Sequence, residues 1–299
     1  MKKIYILLII LIISLTACST GDTDISSSDE GKLNIIVSVE PQKTFVEKVT
    51  GELGNVTVVI PRGYSPANYQ PSPQEIQNIS NGDIYFSIGV ESEKSFILPK
   101  LKDLNADIKL VNLQEEVTKH HEPLYLGDHD DDHDHQEGEV DPHIWLSPKR
   151  VITIIESIRD QMIAEDEIHE LEYKENAQTY INELKELDRE IEESLTGLKN
   201  KAFIIYHPAF SYFAEDYGLD MITIEEEGKE ATARRIQAVV DFAKNNNIKV
   251  IFYQDEFDSS QAKIIAEEIG GEVVEVAPLS GDYINNMREI KDKFIKVWE

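Results

Sequence analysis

From Leu33 onward, short apolar runs alternate with stretches whose apolar residues recur every three or four positions. The runs predict strands at Leu33–Val39, Val56–Ile60, Asp83–Ile88 and Lys109–Asn112, with helices near Pro41–Leu53, Pro73–Ser80 and Ser95–Leu104 between them. The same grammar returns later. Strands are expected at Ala202–Tyr206, Asp220–Ile224, Lys249–Tyr253 and Glu272–Val276, with helices near Pro208–Tyr217, Thr232–Asn245, Ser259–Ile269 and Tyr283–Trp298. Strands alternating with helices predict an α/β fold with parallel sheets covered on both faces, built here twice. The pair Gly270-Gly271 marks a helix end before the last strand.

Between the halves the period is helical throughout. Ser147-Pro148 starts a helix, with Ser as cap and Pro at the first position. Ile152, Ile155, Ile158, Met162 and Ile163 form one stripe; after an acidic break near Asp166 it resumes at Ala177, Tyr180, Ile181, Leu184, Leu187, Ile191 and Leu195, and Gly197 is the expected stop. A mostly helical connector resists large bending between lobes; a helical hairpin within a single domain is the alternative. The expected organisation is an N-terminal lobe over 32–146, a connector over 147–197 and a C-terminal lobe over 198–299.

The first residues follow a different pattern. Lys2 and Lys3 precede ten apolar residues, Ile4 to Ile13, then Leu15-Thr16-Ala17-Cys18. Ten residues rise only ~15 Å as a helix, about half a hydrocarbon core, so a secretory signal over 1–17 is the expectation. Leu15-Thr16-Ala17-Cys18 looks like a lipobox, in which Cys18 would become the lipidated first residue. The small, polar and acidic stretch 18–31 is then a flexible tether. This predicts an extracytoplasmic protein, lipid-anchored to the cell membrane.

Composition narrows the partners. The 299 residues carry 57 acids against 29 Lys and Arg, a net charge of −28, which disfavours nucleic acid and suits attraction of cations. With one cysteine, no intrachain disulfide and no multi-thiolate metal site can form.

The candidate chemistry is in histidine. Of eight, five lie between 120 and 135: His120, His121, His129, His133 and His135, interleaved with acids in a stretch lacking apolar periodicity. Imidazoles among carboxylates form an adaptable ligand set for zinc-like cations, so the loop 120–137 is expected to be an auxiliary metal collector on a mobile surface loop. His143 stands in Asp141-Pro142-His143-Ile144-Trp145-Leu146, a rigid turn into the connector, and His207 ends a predicted strand, where open α/β sheets place their ligand sites. These two are the main-site candidates. His169 is read as a surface residue, and Glu225, Glu226 and Glu227 as a run of exposed acid.

His143 in DPHIWLSP, His207 in YHPAFSYFAEDYGL, the stretch PRGYSPANYQPSP (61–73) and the ending APLSGDYINNMREI (277–290) together resemble the zinc/manganese-type solute-binding proteins of metal ABC importers, the cluster A-I class. The lipobox and the histidine-acid loop share the resemblance, which covers essentially all of the chain after the signal. It implies two chelatase-like α/β lobes bridged by a long backbone helix, a divalent cation between them (Zn²⁺ favoured, Mn²⁺ the alternative), and an ABC importer permease as partner. His143 and His207 match the second and third ligand positions of the family. Ala67 stands where a His usually follows Pro66, and Ala277 where a carboxylate usually precedes Pro278. Glu256 and Asp255, after a predicted strand, a loop histidine, or water are the candidates to complete a four-ligand shell.

No enzyme is expected. His169-Glu170-Leu171-Glu172-Tyr173 ends in Tyr where a zinc hydrolase needs its second His, and no Gly-x-Ser-x-Gly occurs. A surface metal scavenger or adhesin without a transporter is the alternative, with a zinc hydrolase behind it.

Overall fold

The computed structural model describes residues 32–126, 138–198, 201–225 and 229–298. The signal segment, Cys18, the tether, and His129, His133 and His135 lie outside the described residues.

Two four-stranded sheets, parallel throughout, organise the chain. The first holds β1 (Leu33–Val37), β2 (Gly54–Val58), β3 (Ile84–Ser87) and β4 (Lys109–Asn112) in the order β2-β1-β3-β4. The second holds β5 (Ala202–Ile205), β6 (Asp220–Thr223), β7 (Val250–Gln254) and β8 (Glu272–Val276) in the order β6-β5-β7-β8. The orders are the same when each half is counted from its own first strand, so the two lobes repeat one topology. In both, the first strand is central and its C-terminal end opens a crevice where the strand order reverses, the usual ligand position of such sheets.

Helices α1 (Glu40–Thr50), α2 (Pro73–Ile79), α3 (Leu98–Leu104) and α4 (Leu113–Thr118) belong to the first lobe; α5 (Pro148–Glu165) and α6 (Glu170–Leu195) form the connector; α7 (Ser211–Tyr217), α8 (Ala233–Asn245), α9 (Ser260–Ile269) and α10 (Tyr283–Ile295) belong to the second lobe. Local chemistry starts several of them. Ser72 accepts from the Glu75 N–H while the Glu75 carboxylate accepts from the Ser72 N–H, and Thr232 caps α8 through the Arg235 N–H. Ser147 departs from the expected capping role: its hydroxyl donates to Asp216 Oδ2 at 2.5 Å, tying the connector to the second lobe.

Most of the connector stripe is buried, Ile152 and Ile163 only in part. Ile155, Ile158, Met162, Tyr173, Ala177, Leu184, Leu187 and Ile191 are solvent-free, and they join one apolar core with Ile35, Phe45 and Phe86 on one side and Phe203, Phe210 and Phe294 on the other. The 26-residue α6 packs against α5, α1 and α10, so it serves both lobes at once. A bend at Asp166 breaks the pair, and Gly197 has φ 84°, the left-handed conformation of a helix stop.

Helix α4 was not expected. Six residues are too few to show a period, although Asn112 accepting from the Glu115 N–H at 3.2 Å is an ordinary N-cap pair. The third helix of the first lobe also begins differently. Glu93–Ile97 form a π turn, with the Leu98 N–H reaching back to the Glu93 carbonyl. Pro99, lacking an N–H, cannot continue the α ladder to Ser95.

Candidate metal centre

His143 sits on the corner before a short 3₁₀ turn, Ile144–Leu146, whose three side chains are buried. That burial fixes the corner, and Trp145 Nε1 locks it further by donating to the Pro278 carbonyl at 3.0 Å. Asp141, 1% exposed, accepts from both the His143 backbone N–H (2.9 Å) and His143 Nδ1 (2.7 Å) through one oxygen. Because an ionised carboxylate only accepts, the Nδ1 carries the proton and Nε2 keeps its lone pair.

His207 follows β5 by two residues and is gripped from β7. Gln254, fully buried, accepts from the His207 N–H (3.2 Å) and donates to the His207 carbonyl (2.7 Å), so both ends of one amide hold one backbone unit. The imidazole stacks on Phe257 with centroids 4.6 Å apart. Its Nδ1 lies 3.0 Å from Glu225 Oε2, which orients it as Asp141 orients His143. Burial holds the His207 imidazole below its usual pKa, against the opposing pull of the Glu225 hydrogen bond.

These two supports aim the rings at each other. The Nε2 atoms are 3.3 Å apart, with the rings at 74°. Two nitrogens each ~2.0–2.1 Å from one ion at a tetrahedral angle are separated by about 3.3–3.4 Å. The pair therefore has the bite of a tetrahedral cation, and two buried carboxylates stand behind it to balance a divalent charge.

The histidines open on a cavity of ≈ 80 Å³ between the lobes. Ala67 and Glu256 are on its wall. Glu256 is half-buried and pushed up to about 8 by burial and by Asp255, while Asp255 itself is exposed. Among the described residues, no three His, Cys, Asp or Glu side chains are grouped to hold one ion. The Ala277 carbonyl accepts from Asn286 Nδ2 at 2.8 Å.

Glu225 corrects the expectation of an exposed acidic run: it is 6% exposed, and its N–H pairs with the Tyr206 carbonyl at the end of the sheet. Glu226 and Glu227 lie outside the described residues. Gln254, Phe257, Glu91 and Glu139 also reach the cavity, and sequence reasoning singled out none of them. Only Gln254 had a usable signal, as a polar residue at the end of an apolar strand.

His120 and His121 close α4, both N–H groups going to the Val117 carbonyl, so the irregular stretch starts later than expected. His121 is half-buried, 3.1 Å from Thr153 Oγ1 on α5. His169 pairs with Asp166 at the connector bend. Leu126 and Glu139, on either side of 127–137, are joined by a backbone hydrogen bond and reach the cavity wall.

A family model described as zinc-uptake complex component A, periplasmic (ZnuA), matches residues 35–297. The zinc-binding lipoprotein AdcA of Streptococcus pneumoniae is 33% identical over 287 residues, covering 93% of this chain and 56% of that protein. The manganese-binding lipoprotein MntA of Halalkalibacterium halodurans is 29% identical over 309 aligned positions, covering 99% and 98%. A crystal structure of ZnuA superposes with a TM-score of 0.83 at 33% identity, covering 90% of this chain and 100% of that one. The chain spans about half the length of the streptococcal relatives it matches, which are covered over 54–56%.

Proposed function

The chain belongs to the zinc-uptake complex component A family, whose members are metal-binding transport components rather than enzymes, and we propose that it captures a divalent transition-metal ion between its lobes and delivers it to an ABC importer permease. The observation that carries this is the 3.3 Å approach of His143 Nε2 and His207 Nε2, each ring oriented by a buried carboxylate. Neutral imidazoles favour Zn²⁺ over Mn²⁺, which prefers oxygen donors.

Among the described residues, His143 and His207 are the main donors. Glu256 lies on the cavity wall, where burial and the adjacent Asp255 favour its neutral form. The histidines of the 120–137 stretch, with His129, His133 and His135 at its centre, are auxiliary collectors, and Cys18 carries the lipid that keeps the protein outside the cell membrane. Binding between the lobes removes the ion from water, and docking to the permease reopens the site.

The test is calorimetric titration with Zn²⁺ and Mn²⁺. A tight zinc site that disappears in His207→Ala supports the reading; unchanged binding in that variant overturns it.

A further inference from the structure

Among the described residues two protein nitrogens are aimed at one ion, half of a tetrahedral set, and the cavity in front of them is built in an unusual way for holding a bare ion. Its walls are Pro66, Val90, Leu126, Trp145, Phe257 and Leu279. Its volume of ≈ 80 Å³ is room for about six waters, at 10–15 Å³ for each, or for an organic ligand of similar heavy-atom count. Water at such apolar walls has few polar partners, so an apolar body displaces it favourably.

The polar groups that do reach the cavity are engaged. Gln254 spends both amide ends on the His207 backbone. Glu139 is paired with Lys94, Glu91 accepts from Ser95, and Glu256 is bonded to Asp255. Asp141 and Glu225 face the Nδ1 atoms, behind the rings. An ion on the two Nε2 atoms therefore meets a largely apolar space, with Asp141 and Glu225 behind the rings rather than in it.

Resting on the proposed metal capture, we infer that the cargo is a zinc ion carrying one small amine–carboxylate chelator, of the α-amino-acid class. Its amine nitrogen and one carboxylate oxygen fill the two open tetrahedral positions, and its carbon skeleton occupies the apolar cavity. Charge selects the class. With Asp141, Glu225, Glu91 and Glu139 around the cleft, a polyanionic chelator is repelled, whereas a zinc–amino-acid complex has a net positive charge.

The experiment is equilibrium dialysis of the chain against zinc and radiolabelled L-alanine, whose six heavy atoms match the cavity, together and separately, with bound zinc measured by elemental analysis. Label and zinc should be retained one to one when supplied together, and the label should be lost when zinc is omitted. Ala67→His, which adds an imidazole to the cavity wall, should keep zinc and exclude the label. Zinc bound without label overturns the inference and leaves metal capture standing. Label bound without zinc, or still bound by Ala67→His, overturns it as well. Retention of neither overturns both this inference and the capture reading.

Discussion

His143 Nε2 and His207 Nε2 face each other across 3.3 Å, although each ring's other nitrogen donates to its own carboxylate. Two neutral imidazoles in these tautomers present lone pair to lone pair, an arrangement that a cation between them turns from repulsive to attractive. If one ion uses both, the first alanine substitution removes most of the binding and the second has little left to remove. The double variant should therefore weaken zinc binding by less than the sum of the singles in calorimetry. Binding should also fall in acid, because the ligand is the unprotonated ring. Burial holds His207 down, so on its account the loss begins below the ordinary imidazole value of ~6.5.

Glu225 supports this geometry without facing the cavity side of the ring. Glu225→Gln keeps the shape but loses the charge that favours a polarised, correctly oriented imidazole, and should weaken zinc binding on the order of 10–100-fold. Thermal stability should change far less than affinity. Equal losses in both would make Glu225 a structural residue only.

Cys18→Ser tests the address. The variant should take up no labelled fatty acid and be released or retained as the uncleaved precursor, since a single thiol is the proposed attachment point. Labelling that persists would contradict the lipobox reading.

Why the architecture could be read from the chain while half of the centre could not comes down to range. The connector stripe from Ile152 to Leu195 repeats every three or four residues, and one buried face is enough to produce it. The strands also announce themselves, because sheets covered on both faces need continuous apolar runs. His143 and His207 stood out because a strand end and a Pro-bounded turn are places where a polar ring has a reason to be. Glu225 did not. Within Glu225-Glu226-Glu227 nothing local marks Glu225 as buried; its contacts are with Tyr206 and His207, just past the end of β5. Gln254 is similar, since its partner is a backbone 47 residues away.

The attachment of the connector to the second lobe depends on a buried ion pair. Arg150, 3% exposed, donates to both oxygens of Asp216 at 2.9 and 3.2 Å and to the Glu122 carbonyl at 2.9 Å, and lies over the Tyr212 ring at 4.2 Å. Removing one member strands the other. Arg150→Met should cost on the order of 3–5 kcal/mol in chemical denaturation. The neighbouring Lys149, partly exposed and paired with an exposed Glu192, should cost under about 1 kcal/mol when changed to Ala. Similar losses at the two positions would refute the assignment of the attachment to Arg150.

Glu93 gives stability a pH dependence opposite to that of an ordinary paired carboxylate. It is fully buried at the start of the π turn, accepting the Ile88 and Gly89 N–H groups and the Ser38 hydroxyl, with Tyr85 bonded to Ser38. Gly89, at φ 90°, makes that turn possible, and the Val90-Glu91 segment it leads into lines the metal cavity. Burial dominates the hydrogen bonds and raises Glu93 from 4.5 to about 7. Between those values the folded chain keeps a proton that the unfolded chain has released, so stability declines as pH rises through the window. The decline amounts to roughly 3 kcal/mol and is complete above about 7. Many other carboxylates titrate over the same range, so the measurable quantity is the difference between Glu93→Gln and the parent in denaturant titrations. Gln keeps an acceptor and cannot ionise; its advantage over the parent should grow from pH 4.5 to 7 and then level off. A difference that stays flat across that window would show that Glu93 is charged in the folded protein at low pH as well.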